Sequence, residues 1–332
     1  MQQLIDNPVN QEKILTTLYL IRLLEEKIAE KYSEGKMRCP THLSIGQEGV
    51  PSALAPLLSY ADYAVSTHRS HAHYLAKGGC PSAMIAEIYG KATGCSGGRG
   101  GSMHLIDERV GFKGSTAIVG NTIPIGVGLA LSQKLRKEPN ISVVFVGDGA
   151  IEEGVFYEAA NFAAVQKLPV LFVCENNLYS VYSDLTKRQP QGRKIHQMVE
   201  GLGLTTYSGD GNNVVASYAL FEKVLKDIKQ GQGPVFVELS TYRWREHCGP
   251  NYDNQLGYRS EEEFLAWQQL EPIARFEHWL LNNQLMSQET LKIHRQKAEL
   301  KVDQAFTYAE RSPFPEPSKI AEHVYAGGVV HA

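Results

Sequence analysis

Short apolar runs alternate along the chain with stretches whose apolar residues recur at helical spacing, and this alternation predicts an α/β protein. Ile141–Val146 is a β-branched run that reads as a buried strand, and Gly147-Asp148-Gly149 breaks it. From Val155 to Gln166 the apolar positions (Val155, Phe156, Ala159, Phe162, Ala163) fit a helix, which Pro169 is expected to end. Val170–Cys174 is a second buried strand, closed by Glu175-Asn176-Asn177. Strand, helix and strand in this order predict a right-handed crossover between parallel strands, so both strand ends lie on one sheet edge. Open α/β sheets bind ligands at that edge. Upstream, Glu12–Ser33 carries an apolar stripe (Leu15, Leu18, Ile21, Leu24, Ile28) and reads as a helix ended by Gly35, and Ala64–Ser66 reads as a short strand. Downstream, Leu202–Tyr207, Val215–Gln230 and Val235–Tyr242 give another strand, helix and strand. Beyond Ser260, two polar-rich helices lead to a tail punctuated by Pro313, Pro315 and Pro317. The expected fold is α/β: an open, mostly parallel sheet with helices on both faces and a C-terminal helical extension. The expected division is a helical arm (1–40), an α/β domain (41–260) and the extension (261–332).

The two strand ends carry chemistry. Asp148 offers a carboxylate and Asn177, 29 positions on, a carboxamide oxygen. Magnesium takes about six hard oxygens and commonly completes its shell with water and phosphate. The glycines beside Asp148 let backbone N–H groups approach an anion, and the helix that follows adds a favourable dipole. Either half alone reads as an ordinary turn or strand-end cap; both together, at adjacent strand ends, read as a Mg²⁺–diphosphate site. Gly209-Asp210-Gly211-Asn212-Asn213 repeats the same letters with no crossover between them and reads as a loop.

Composition narrows the classes. With 33 basic against 36 acidic residues the net charge is −3, and no basic block appears, which argues against nucleic acid or an anionic membrane as partner. No apolar run approaches the length of a membrane span and no signal-peptide pattern opens the chain. Cys39, Cys80, Cys95, Cys174 and Cys248 are odd in number and scattered, so they read as free thiols of a reducing cytoplasm.

The segment FVGDGAIEEGVFYEAANFAAVQKLPVLFVCENNLYS resembles the thiamine-diphosphate signature, in the form found in the α subunit of the decarboxylating component of 2-oxo acid dehydrogenase complexes. The resemblance spans about residues 12–326. It implies that Asp148, Asn177 and the main-chain carbonyl of Tyr179 bind Mg²⁺, with Gly149 and Ala150 facing the diphosphate. THLSIGQEG is similar to the family's HLxxGQE segment and implies that His42 reaches the substrate. In HRSHAHYLAKGG, the resemblance places His68 and Arg69 at the diphosphate end, and Arg69 has the planar fork that suits paired oxygens. The same segment resembles the acetoin-cleaving branch; His71 is expected to line the active site and His73 to be structural. Zinc at these three histidines is disfavoured because no Cys or carboxylate completes a ligand set nearby in sequence. CSGGRGGSMH (95–104) resembles a mobile loop near the cofactor. KGSTAIVGNTIPIGVGLA implies cofactor contacts from the backbone of Ala117 and Val119, and a small-residue helix at a subunit interface; Gly126 and Gly128 suggest close approach of another backbone. TYRWREH, with Arg243 and His247, is similar to the family's TYRxxGH, whose His sits against the thiazolium ring.

The resemblance implies oxidative decarboxylation of a 2-oxo acid with thiamine diphosphate and Mg²⁺, and transfer of the acyl group to a lipoyl-bearing acyltransferase. It implies a β subunit in an assembly of two α and two β chains, because the Glu that activates the cofactor's pyrimidine lies on β. Acetoin cleavage and a carboligase without a lipoyl acceptor remain as alternatives. Catalysis is expected from His42, His71 and His247. Glu246 stands where the family has Gly, and CGPNYDNQL replaces the usual loop. A carboxylate there is expected to raise the pKa of His247 and to repel dicarboxylic substrates.

Overall fold

The computed structural model describes residues 2–319 and 322. Its strands are β1 Tyr63–Ser66, β2 Phe112–Ser115, β3 Ser142–Gly147, β4 Val170–Asn176, β5 Tyr179–Ser180, β6 Ser183–Asp184, β7 Thr205–Asp210 and β8 Val235–Ser240. Six of them form one sheet in the order β2-β1-β3-β4-β8-β7, with every pairing parallel. β5 and β6 form a separate antiparallel hairpin.

Successive side chains of a strand point to opposite faces, and both faces are covered here. Val143 and Phe145 bury on one face with Leu171, Val173, Val235 and Val237. Val144 and Val146 bury on the other with Phe172 and Phe236. This is why β3 and β4 read as unbroken apolar runs rather than alternating ones. The helices Pro8–Lys31, Val214–Asp227 and Gln288–Arg311 contribute to the first core, and Thr122–Leu135 and Gly154–Gln166 to the second.

The helix expected as an N-terminal arm is part of the main core: Leu15, Leu18, Ile21, Leu24 and Ile28 all bury in it. Among the described residues the C-terminal extension holds three α-helices, Glu261–Gln268, Pro272–Asn282 and Gln288–Arg311, and the last packs on Pro8–Lys31 and Pro81–Ile88. The end of the expected extension, 320–321 and 323–332, lies outside the described residues. The helix after β3 stops at Gln166, where Lys167 takes a left-handed conformation, so Pro169 follows the stop rather than making it. Gly126 is required by the sheet, not by another backbone: a Cβ there would lie 2.4 Å from Val144 Cγ2 and 2.8 Å from Val65 Cγ2. Gly128 faces open space.

Candidate active site

The carboxyl ends of β1, β3, β4 and β8 open into a cavity of about 690 Å³, its mouth included. Gly147 and Glu175 are paired in the β3–β4 register, so the next residues of the two strands, Asp148 and the pair Asn176-Asn177, emerge side by side. Asp148 begins a one-turn helix, Asp148–Glu152. Asp148, Gly149, Ala150, Asn177 and Tyr179 all line the cavity. A Cβ on Gly149 would lie 2.7 Å from Ser180 Oγ, so glycine lets this turn sit against the Ser180 side chain of β5. Asn177 is oriented by two bonds: its Nδ2 donates to Gln47 Oε1 at 3.1 Å and its Oδ1 accepts from the Tyr179 N–H at 3.1 Å.

Asp148 is buried, and burial raises its carboxyl pKa against the opposing pull of Arg188. The Arg188 guanidinium pairs with Asp148 and, at 2.5 Å, with Glu152. Arg188 ends the short helix Leu185–Arg188, within a polar, basic stretch of the chain. Nothing in its sequence context marks it. Gln47 and Glu175 were also missed as cavity residues, although both stand inside motifs that the sequence had singled out.

Three histidines meet at the opposite wall. His68 and His247 line the cavity, and His42 packs behind them. Their ring centroids are 4.6 Å apart for His42–His68, 5.0 Å for His42–His247 and 5.3 Å for His68–His247. Burial, then the positive charge of Arg69, lowers their pKa values to about 2 for His42, about 4 for His68 and about 3 for His247. All three are therefore neutral imidazoles at any physiological pH. Arg69 ties the wall together: it follows His68 in the chain, and it donates to the carbonyl of Leu43 at 2.5 Å and of His247 at 3.1 Å. It lines the cavity, but both terminal nitrogens already bind main-chain carbonyls. Val119 lines the mouth, and Ala117 is half-buried beside it without reaching the cavity.

Several expectations need correction. His71 does not reach the cavity. It is fully buried, with Nδ1 on Glu25 Oε1 at 2.6 Å and Nε2 on Ser102 Oγ at 2.8 Å, so neither nitrogen is free to move a substrate proton. Glu25 also accepts from the Ser44 N–H at 2.6 Å, joining the His42 segment to His71. His73 is structural, as expected: it stacks on Phe145 and bonds Ser66 and Glu175. Arg243 is likewise removed from the cavity. It is buried against Asp253, Tyr258 and the Val181 carbonyl, because Asp253 is the carboxylate that Arg243 and Arg259 share. The glycine-dense loop is pinned around the buried Glu87 carboxylate, which accepts from the N–H groups of Ser96, Gly98, Gly100 and Gly101. Glu246 folds away from His247 and accepts from Asn251 N and Nδ2, both at 2.9 Å. Burial and then Arg69 set the pKa of His247, which is lowered, not raised.

A family model described as "Dehydrogenase E1 component" matches residues 16–318. The chain is 34% identical over 320 residues to the pyruvate dehydrogenase E1 component subunit alpha of Rickettsia typhi, covering 96% of this chain and 97% of that one. It is 35% identical over 316 residues to the subunit of the same name from Porphyra purpurea, covering 93% and 91%. With the match spanning nearly the whole chain and the strand-end pair in place, this protein belongs to the dehydrogenase E1 family of thiamine-diphosphate-dependent oxidoreductases.

Proposed function

We propose that this chain is the α subunit of a pyruvate-type 2-oxo acid dehydrogenase, holding thiamine diphosphate through Mg²⁺ bound by Asp148, Asn177 and the Tyr179 carbonyl. The observation that carries the reading is the emergence of Asp148 and Asn177 from hydrogen-bonded strands β3 and β4 into a cavity whose other wall is His68 and His247. The donor set suits the group: hard oxygens for the metal, backbone N–H groups of the turn at 148–152 for phosphate, and no side chain at Gly149. The Arg188 pairing fits as well, since it shows a cation accommodated at the buried Asp148 carboxylate. When bound, thiamine diphosphate supplies the electron sink for loss of carbon dioxide. The chain supplies orientation and proton control: His68 and His247, neutral and held by Arg69, offer a ring N–H to the substrate's oxo and carboxylate oxygens.

The carboxylate of THLSIGQEG is not available for cofactor activation. Glu48 is fully buried and binds Arg22 Nε at 2.5 Å and the Gly46 N–H. That supports a β subunit supplying the missing group, in an assembly of two α and two β chains. Ile118 and Val119 at the cavity, Ile125 on the helix Thr122–Leu135, and Phe162 and Val165 on the helix Gly154–Gln166 are exposed apolar side chains suited to such a contact. The small-residue helix after Pro124 carries part of that surface. A lipoyl acyltransferase would take the acyl group. The names of the Rickettsia and Porphyra relatives support pyruvate as substrate, and five unpaired cysteines support a cytoplasmic enzyme. Among the described residues no helix is long and apolar enough to cross a membrane. The test is turnover of 2-oxo acids and acetoin with a dye acceptor, by the α chain with and without its β partner. Turnover of pyruvate by the pair and none by α alone is expected; robust turnover by α alone, or acetoin as the best substrate, would contradict the reading.

A further inference from the structure

We propose that His42, His68 and His247 form a tridentate nitrogen site for a transition-metal dication such as Zn²⁺ or Co²⁺, separate from the oxygen site of Asp148 and Asn177. One ligand nitrogen from each ring lies within 4.8 Å of the others. Tetrahedral Zn²⁺ holds imidazole nitrogens at 2.0–2.1 Å, which places them about 3.3 Å apart. Binding therefore requires the rings to rotate so that the three nitrogens draw together from at most 4.8 Å. His42 Nδ1 is buried with no hydrogen-bond partner among the described residues, so a donor atom stands ready in the wall. By contrast, both nitrogens of the nearby His71 and of His73 are engaged, and neither belongs to the group.

The three segments are held in register before any metal arrives. Arg69 joins the backbone after His42 to the backbone of His247, and is covalently next to His68. The guanidinium of Arg69 beside the site disfavours a dication and Arg243 adds to that positive charge, while Glu25 and Glu175 oppose it. Glu175 lines the same cavity, and its Oε1 is buried without a partner among the described residues. Three imidazoles leave a fourth position on the cavity side for water or a substrate oxygen. Neutral nitrogen ligands favour Zn²⁺ and Co²⁺ over Mg²⁺, so excess Mg²⁺ does not fill this site. A metal bound there stands where substrate must enter and excludes it. Sequence spacing hides the site, because the three ligands come from three distant segments and only one of them belongs to HRSHAH.

The experiment is a titration of the full-length chain with Co²⁺ in excess Mg²⁺, followed by visible absorption and back-titration with Zn²⁺. One equivalent with the intense bands of four-coordinate Co²⁺, displaced by Zn²⁺, is expected. His42→Gln, His68→Gln and His247→Gln should each weaken binding by roughly tenfold or more, and His278→Gln, on an exposed helix face, should leave it unchanged. Weak six-coordinate bands, or binding untouched by the three substitutions, would overturn the proposal. Zn X-ray absorption on the unaltered chain decides the matter independently of how any variant folds: three imidazole ligands support the site, and fewer overturn it.

Discussion

The chain contains Gly-Asp-Gly twice, at 147–149 and 209–211, and each copy stands at the carboxyl end of a parallel strand of the same sheet. The letters and the strand position are alike; the surroundings are not. β3 lies inside the sheet with β4 beside it, so Asp148 gains Asn177 as a neighbour and sits 2% exposed in a cavity. β7 is the edge strand, and Asp210 is 39% exposed, paired with Arg275 at 2.8 Å and with the Asn212 N–H at 2.9 Å. Asn213 there caps the helix Val214–Asp227 through a bond to the Ala216 N–H. The second copy is a strand end and helix start, an ordinary structural corner. What makes the first a site is sheet order, which puts two strand ends and a wall of histidines around one volume.

That contrast can be pressed with substitutions, beginning with the largest effect. His247→Ala on the cavity wall should lower turnover by about 10² to 10⁴-fold, the usual scale of positioned acid–base groups, while cofactor affinity stays nearly constant. Full activity in this variant would remove the histidine wall from the account. Next, Arg243→Met should destabilise the fold by about 3 kcal/mol, because it leaves the buried Asp253 with one guanidinium partner fewer. Denaturant midpoints measure this, and a folded variant with normal stability but lost cofactor binding would return Arg243 to the site.

A smaller effect is linked to pH. The three wall histidines titrate far below 6.5 in the folded chain, so below pH 6.5 the unfolded chain binds protons that the folded chain does not. Their contribution is therefore complete above that pH and is lost as pH falls from 6.5 toward about 4, where His68 itself takes a proton. The slope is at most about 1.4 kcal/mol per pH unit for each histidine. In metal-free buffer, His68→Gln should flatten the loss of stability between pH 7 and pH 5; an unchanged slope would mean that the ring is solvated. The smallest effect belongs to the edge corner. Asp210→Ala removes a half-exposed ion pair and should change stability by less than about 1 kcal/mol, with unaltered turnover.

The parallel crossover and the Asp148–Asn177 pair were legible because local patterning fixes both: two apolar strands, one helix, and polar residues where each strand stops. The edges of those elements moved by a residue or two, since caps such as Lys167 decide them more than the nearest proline does. The histidine wall was legible only as separate residues. Its convergence depends on Arg69 spanning Leu43 and His247, a long-range arrangement without periodicity. His71 was misplaced because adjacency in HRSHAH says nothing about Glu25 and Ser102, which take its two nitrogens. Glu246 misled for a related reason: a neighbour in sequence had a closer partner in Asn251, inside its own loop. Arg188 carried no signal at all, being one of several basic residues in a polar stretch.

The central claim is that the corner at β3, and not its copy at β7, holds the metal and diphosphate. Calorimetric titration of thiamine diphosphate into the α chain assembled with its β partner, with Mg²⁺ and after chelation, tests it directly. Binding should require Mg²⁺, weaken by at least about 100-fold in Asp148→Ala, and remain unchanged in Asp210→Ala. Undiminished affinity in Asp148→Ala, or a comparable loss in Asp210→Ala, would contradict it.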